Sequence, residues 1–181
     1  MNQQIFLALN SLAGRSLIFD DLVVFSAVYL GPLFLVFVFL REAFLKSDKW
    51  PIERNKLALL VLMIIGSFII WIFAELINKI YPVTRPSLFL PQAVNLIGRA
   101  GTDSFPSGHT TFFFTLAFLF YKNYRNYFSA ALIVAAIVSL SRVIGGIHWP
   151  TDITGGIAMA FLGAYLLNPL CAKIVNFFTP I

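Results

Sequence analysis

Leu22 to Leu40 contain no charged residue, and neither do Leu57 to Ala74, Asn126 to Ser141 or Ile153 to Ala172. At about 1.5 Å per helical residue, each run nearly crosses a hydrocarbon core of about 30 Å. A fifth run, Thr110 to Tyr121, is shorter. It spans only if its helix begins near Ser107, which places His109 at or just below the interface. The expectation is an all-α membrane protein of about five transmembrane helices, preceded by a short helix around Ile5 to Ala13 lying along the surface. Composition agrees: 59% of the residues are hydrophobic and 12% charged, with a mean hydropathy of +0.85. A soluble domain carries about 25% charged residues, so this chain lacks the polar surface to coat a globule in water.

Charge distribution sets the expected topology. Arg41, Lys46, Lys49, Arg54 and Lys56 lie between the first two runs, Lys122 and Arg125 between the third and fourth, and Lys173 after the fifth. With five spans all eight fall on one face, which should be the cytoplasm. Arg15, Lys79, Arg85, Arg99 and Arg142 fall on the other. The net charge of +5 is therefore a matter of membrane orientation, and no nucleic-acid partner is expected. The single cysteine, Cys171, excludes an internal disulfide and reads as buried filler. No cleavable signal peptide is expected, because the first fourteen residues lack a basic stretch before an apolar core. Gly156, Ala160 and Ala164, and likewise Ala131 and Ala135, recur every fourth position and predict close helix packing. Phe112-Phe113-Phe114 reads as lipid-facing bulk. Residues 1–181 form one domain, and the polar connection from Asn78 to Phe105 is the expected substrate entrance.

The chemistry-bearing residues gather at the outer ends of these runs. The chain has two histidines, one in Pro106-Ser107-Gly108-His109 and one in Ser141 to Asp152. Ionisable groups where lipid begins are costly and point to function. Pro106 suits a first helical turn, after which Ser107 and Gly108 offer backbone N–H groups at the positive end of a helix, a ready anion site. His148 and Asp152 are four residues apart, within reach of a carboxylate–imidazole hydrogen bond that leaves the other ring nitrogen free as a nucleophile. Arg142 presents a planar fork suited to phosphate. Lys79 and Arg85 add two cations, with Pro82 and Pro86 stiffening the connection. Together they predict a phosphoryl-transfer pocket. Lys79, Arg85, Ser107, Gly108 and Arg142 bind phosphate, His148 attacks and His109 protonates the leaving oxygen. No metal and no cofactor are expected, since three cations surround the two histidines and Asp152.

These residues resemble the three motifs of the type 2 phosphatidic acid phosphatase (PAP2) superfamily: Lys-x6-Arg-Pro, Pro-Ser-Gly-His and Ser-Arg-x5-His-x3-Asp. Ser141, Arg142, His148 and Asp152 match the third throughout, and Pro106 to His109 match the second. The first departs from the pattern, because five residues separate Lys79 from Arg85 and Asn78 holds the lysine position. Small size and the lead-in Asp103-Ser104-Phe105 make the chain similar to the bacterial undecaprenyl-diphosphatases of the bacitracin-resistance type. That resemblance implies a helical bundle in the bacterial cytoplasmic membrane with its site facing outward. It also implies a lipid phosphate substrate, undecaprenyl diphosphate, cleaved through a phosphohistidine. Phosphatidylglycerophosphate, phosphatidic acid and lipid A are alternative substrates, and a non-enzymatic membrane protein is the competing class. The sequence assigns no role to Glu75 or Arg99.

Overall fold

The computed structural model of the protein describes residues 1–44 and 50–178. Lys46 and Lys49, part of the expected cytoplasmic loop, lie outside the described residues. The chain is helical: α1 (Asn2–Asn10), α2 (Leu17–Phe25), a π-helical turn (Ser26–Leu30), α3 (Gly31–Phe44), α4 (Trp50–Ile80), α5 (Pro86–Phe89), α6 (Gly108–Asn123), α7 (Arg125–Ile144) and α8 (Pro150–Phe178). Four stretches are long and apolar enough to cross a bilayer: Leu17–Phe44, Lys56–Ile80, Arg125–Ile144 and Pro150–Cys171. The first runs unbroken through α2, the π turn and α3, so it begins five residues earlier than the charge-free run suggests. The outward faces of these helices carry large apolar side chains such as Phe37, Ile65, Phe68, Ile133 and Leu162, all exposed. Water would not tolerate such a belt, and lipid does. The protein is a multi-pass membrane protein.

The expected fifth span is α6, and its 16 residues reach only about 24 Å. It can be short because it is central, packed against α4, α7 and α8. Here one expectation fails. Phe112, Phe113 and Phe114 are each no more than 8% exposed, so they are core, not lipid-facing bulk. Helices surround α6 on all its faces, and even consecutive aromatics find a neighbour. Phe112 meets Phe68 of α4 edge-on at 4.9 Å between ring centroids, and Phe118 meets Phe161 of α8 at 5.9 Å. The small-residue stripes are the contact lines that make this possible. Ala131 and Ala135 of α7 are buried, as are Ala160 and Ala164 of α8. Gly156 lets α8 approach Ser107 and Thr110 at the start of α6.

The N-terminal helix does more than lie on a surface. Phe6 is fully buried and packs on Trp149 at 5.2 Å between ring centroids. Asn10, also buried, donates to the carbonyls of Val94 and Ile144 at 2.8 Å each and accepts from the Val94 N–H at 2.9 Å. Its amide thus satisfies a carbonyl at the C-terminal end of α7, one of the groups a helix end leaves unpaired. In the same way α1 pins the entrance connection to the α7–α8 junction.

That connection, residues 81–107, is irregular but tied at many points. The Arg85 N–H donates to the Gly101 carbonyl and the Ser104 N–H to the Val83 carbonyl, both at 3.0 Å. The Trp149 indole donates to the Thr84 carbonyl at 2.8 Å. Gly146 shows why the α7–α8 turn is so close beneath it. Its φ is +84°, and a β-carbon there would stand 2.2 Å from the Val94 carbonyl oxygen. Only glycine fits.

Candidate active site

Two helix N-termini meet at the pocket floor, and their backbones are joined. The Ser107 N–H donates to the Asp152 carbonyl at 3.1 Å. This bond corrects the expectation for Ser107, whose N–H is committed to α8 and not free for an anion. The residue is fully buried and serves as the N-cap of α6, its hydroxyl accepting from Thr110 at 3.1 Å. Pro106 accordingly stands just before the cap instead of inside the first turn. The unpaired N–H groups of the first turn are those from Gly108 onward. Gly108 is lined closely by α4: a β-carbon there would stand 2.7 Å from both Glu75 Oε1 and Trp71 Nε1. Any side chain would fill the hollow into which an oxyanion could settle.

His148 lies in the α7–α8 turn and is 2% exposed. Its Nδ1 is 2.9 Å from the Ser104 carbonyl oxygen and 3.4 Å from Asp152 Oδ2. A carbonyl only accepts, so Nδ1 carries the proton and Nε2 keeps its lone pair. The sequence assigns that orienting task to Asp152, but the shorter bond is to the backbone. Asp152 acts one step further out: Oδ2 also accepts from the Ser104 hydroxyl and, at 2.7 Å, from the Trp149 N–H. It therefore holds both the start of α8 and the segment whose carbonyl orients the ring, while its Oδ1 is buried without a partner. Burial, with the charges of Arg142 and Arg85, keeps the His148 imidazole neutral well below its ordinary pKa, against the opposing bond to Ser104.

Arg85 is 2% exposed and is held from three sides. Nε donates to Asp103 Oδ1 at 2.9 Å, Nη2 to the Asp103 carbonyl at 2.8 Å and Nη1 to the Ile147 carbonyl at 2.7 Å. Nη1 also stands 3.3 Å from His148 Nε2, where it faces the lone pair. Burial alone would raise the Asp103 pKa, but hydrogen bonds and charge from Arg85 and Arg99 bring it down to about 2. Arg142, in the last turn of α7, is equally buried. It donates to the Ala27 carbonyl at 3.2 Å and keeps Nε unpaired. His109, at the second position of α6, is partly exposed. It forms the rim of an apolar hollow of about 350 Å³ lined by Pro32, Leu35, Phe68, Trp71, Phe112 and Phe113.

Of the sequence-assigned residues, the structure thus brings together His109, Gly108, Arg85, Arg142, His148 and Asp152. Lys79 does not join them. It is exposed on α4, whereas Asn78 is buried and donates to the Pro106 carbonyl at 3.2 Å, with Oδ1 unpaired. Trp71, Glu75 and Asn78 recur at helical spacing, so one face of α4 looks into the site and Lys79 lies off that face. That periodicity could have identified Asn78 in place of the lysine. Among the described residues, no three His, Cys, Asp or Glu side chains group as a metal site.

Residues 55–175, which contain this whole constellation, match the family model of the PAP2 superfamily. The chain belongs to the PAP2 superfamily. Its PAP2 relatives include the bacitracin transport permease protein BcrC of Bacillus licheniformis, 33% identical over 57% of this chain and 53% of that protein. The putative undecaprenyl-diphosphatase YbjG of Escherichia coli is 34% identical over 57% of this chain and 50% of its own length. The matched stretch spans about half the length of each of these relatives. The fold is that of LpxE from Aquifex aeolicus, with a TM-score of 0.68, 24% identity, and coverage of 91% of this chain and 93% of that one.

Proposed function

We propose that this PAP2 protein hydrolyses a lipid diphosphate, undecaprenyl diphosphate, to the lipid monophosphate and inorganic phosphate. The reaction takes place at the outer face of the bacterial cytoplasmic membrane. The observation that carries the reading is His148: its Nδ1 is fixed on the Ser104 carbonyl, and its Nε2 lone pair faces a buried guanidinium. A neutral imidazole beside fixed cations is suited to attack phosphorus. Membership of the family and the undecaprenyl-diphosphatase name of one relative support the substrate class.

In this mechanism the terminal phosphate displaces Arg85 from Nε2 and lies between Arg85, Arg142 and the N–H groups opening α6. Nε2 attacks phosphorus, forming the N–P bond as the bond to the bridging oxygen breaks. With the bound phosphate's negative charge beside it, His109 takes up a proton and gives it to that oxygen. His109, now neutral, then takes a proton from water, the water oxygen attacks phosphorus, and the N–P bond breaks with its electron pair returning to Nε2. Preorganised donors around the equatorial oxygens supply the largest share of the acceleration. The apolar hollow beside His109 receives the first part of the lipid chain, which puts the leaving oxygen next to its proton source.

Initial rates on purified lipids test the substrate. Undecaprenyl diphosphate should be cleaved faster than phosphatidylglycerophosphate, phosphatidic acid or lipid A, and chelator should leave the rate unchanged. A clear preference for any of the other three contradicts the assignment.

Neutral, buried His148 also sets a pH dependence of stability. Its folded pKa lies below the unfolded value of about 6.5. Lowering the pH through that value therefore protonates the unfolded chain first, and stability falls. Asp103 has the same sense in a lower window. Its charge-stabilised carboxylate contributes fully above the ordinary carboxylate range, and that contribution is lost as pH falls from there to about 2, so it is silent between pH 5 and 8. Melting temperature in detergent should drop from pH 8 to pH 5, and more steeply than in His148→Asn. Identical slopes would show that the imidazole is not held neutral.

A further inference from the structure

Arg85 and Arg142 with the opening turn of α6 account for one phosphate, yet a third guanidinium stands beside them. Arg99 donates from Nη2 to Asp103 Oδ2 at 2.6 Å, while Oδ1 of the same carboxylate accepts from Arg85 Nε at 2.9 Å. One carboxylate therefore holds two guanidiniums side by side, one 2% exposed in the floor and the other 46% exposed at the mouth. The mouth is built to keep Arg99 there. Asn95 donates to the Arg99 carbonyl at 3.2 Å and to the Ser87 hydroxyl at 3.3 Å, and accepts from the Gly98 N–H at 2.9 Å. The Arg85 N–H fastens the following turn at Gly101.

Stability does not explain this arrangement, because half-exposed ion pairs add little. Of the five guanidinium donors of Arg99, the bond to Asp103 uses one. In the mechanism above, His109 meets the leaving oxygen. In a diphosphate that oxygen belongs to the second phosphate, which must lie outward of the first, toward the mouth.

We propose that Arg99 binds the lipid-proximal phosphate of the diphosphate and so makes the site selective for diphosphates over monophosphates. This inference rests on the phosphatase reading above and assigns the specificity of that same pocket. Arg99 does not contact the phosphorus under attack; it grips the group that leaves.

The test uses soluble anions, so that no lipid chain obscures the comparison. Binding of pyrophosphate and of orthophosphate to the detergent-purified protein is measured by calorimetry for wild type, Arg99→Ala and Arg99→Lys, with melting temperature as the check on folding. Arg99→Ala should weaken pyrophosphate about tenfold, about 1.4 kcal/mol, and leave orthophosphate nearly unchanged, with Arg99→Lys recovering most of the loss. Parallel loss of both anions would show that Arg99 only positions Asp103 and Arg85, and no loss of either would show that it binds nothing; each overturns the inference alone. A wild-type protein that binds neither anion would overturn the phosphatase reading itself, and this inference with it.

Discussion

Replacing His148 with alanine should lower the rate of phosphate release by about 10⁴-fold or more, a loss of the size seen when the nucleophile of a concerted catalytic unit is removed. The reason is geometric. His148 is the ring whose free nitrogen is aimed at the guanidinium of Arg85 while its other nitrogen is held by the Ser104 carbonyl. The residual rate would come from water attacking a phosphate still held by Arg85, Arg142 and α6. His148→Asn separates chemistry from folding, since its side-chain amide can still donate to the Ser104 carbonyl. It should melt near the wild-type temperature at neutral pH and be equally inactive. Phosphate release by either variant within tenfold of wild type would remove His148 as the nucleophile.

The second large effect is expected at Arg85. Alanine there should reduce kcat/KM by roughly 10²–10³-fold, the range for loss of one preorganised donor at a developing charge. It should also cost stability, because the Asp103 and Ile147 carbonyls lose their donor, at about 1–3 kcal/mol for each buried group left unsatisfied. Lysine should rescue little. Arg85 serves Asp103, Ile147 and the His148 nitrogen from three different atoms of one rigid plane, and a single ammonium cannot reach all of them. Activity of Arg85→Lys close to wild type would mean that only its charge matters. Steady-state kinetics and thermal melts of the two variants decide the matter.

The contrast between Arg85 and Lys79 shows what could be read from the chain and what could not. Residue type and spacing identify Arg85, Arg142, His148 and Asp152, because phosphate chemistry needs those groups and the chain has few to offer outside its apolar runs. The same reasoning places Lys79 in the pocket, since it weighs charge and ignores helical phase. In α4 the face that carries Trp71, Glu75 and Asn78 turns inward, and Lys79 turns away. The orienting partner of His148 was beyond sequence reasoning for a different cause: it is the carbonyl of Ser104, and every residue has a carbonyl. Sequence leaves the Ser107 N–H free, because only the packing of α8 against α6 reveals that the Asp152 carbonyl claims it.

Apolar runs gave the bundle its helices within a few residues, since length and absence of charge are local properties. The position of α6 is not local. Phe112 to Phe114 look like lipid-facing residues in sequence and are core in the structure, because α4, α7 and α8 enclose α6. That burial has a chemical consequence. A central α6 carries its N-terminus, with Gly108 and His109, to the same floor where α8 begins.

The most direct test is to find where phosphorus goes during turnover. The protein is mixed with diphosphate substrate labelled in its terminal phosphate, quenched in alkali to preserve any nitrogen–phosphorus bond, and digested for mass spectrometry. The label should appear on His148 and be lost from His148→Asn. Label on His109 or another side chain, or turnover of the wild type through no labelled protein at all, would contradict the account.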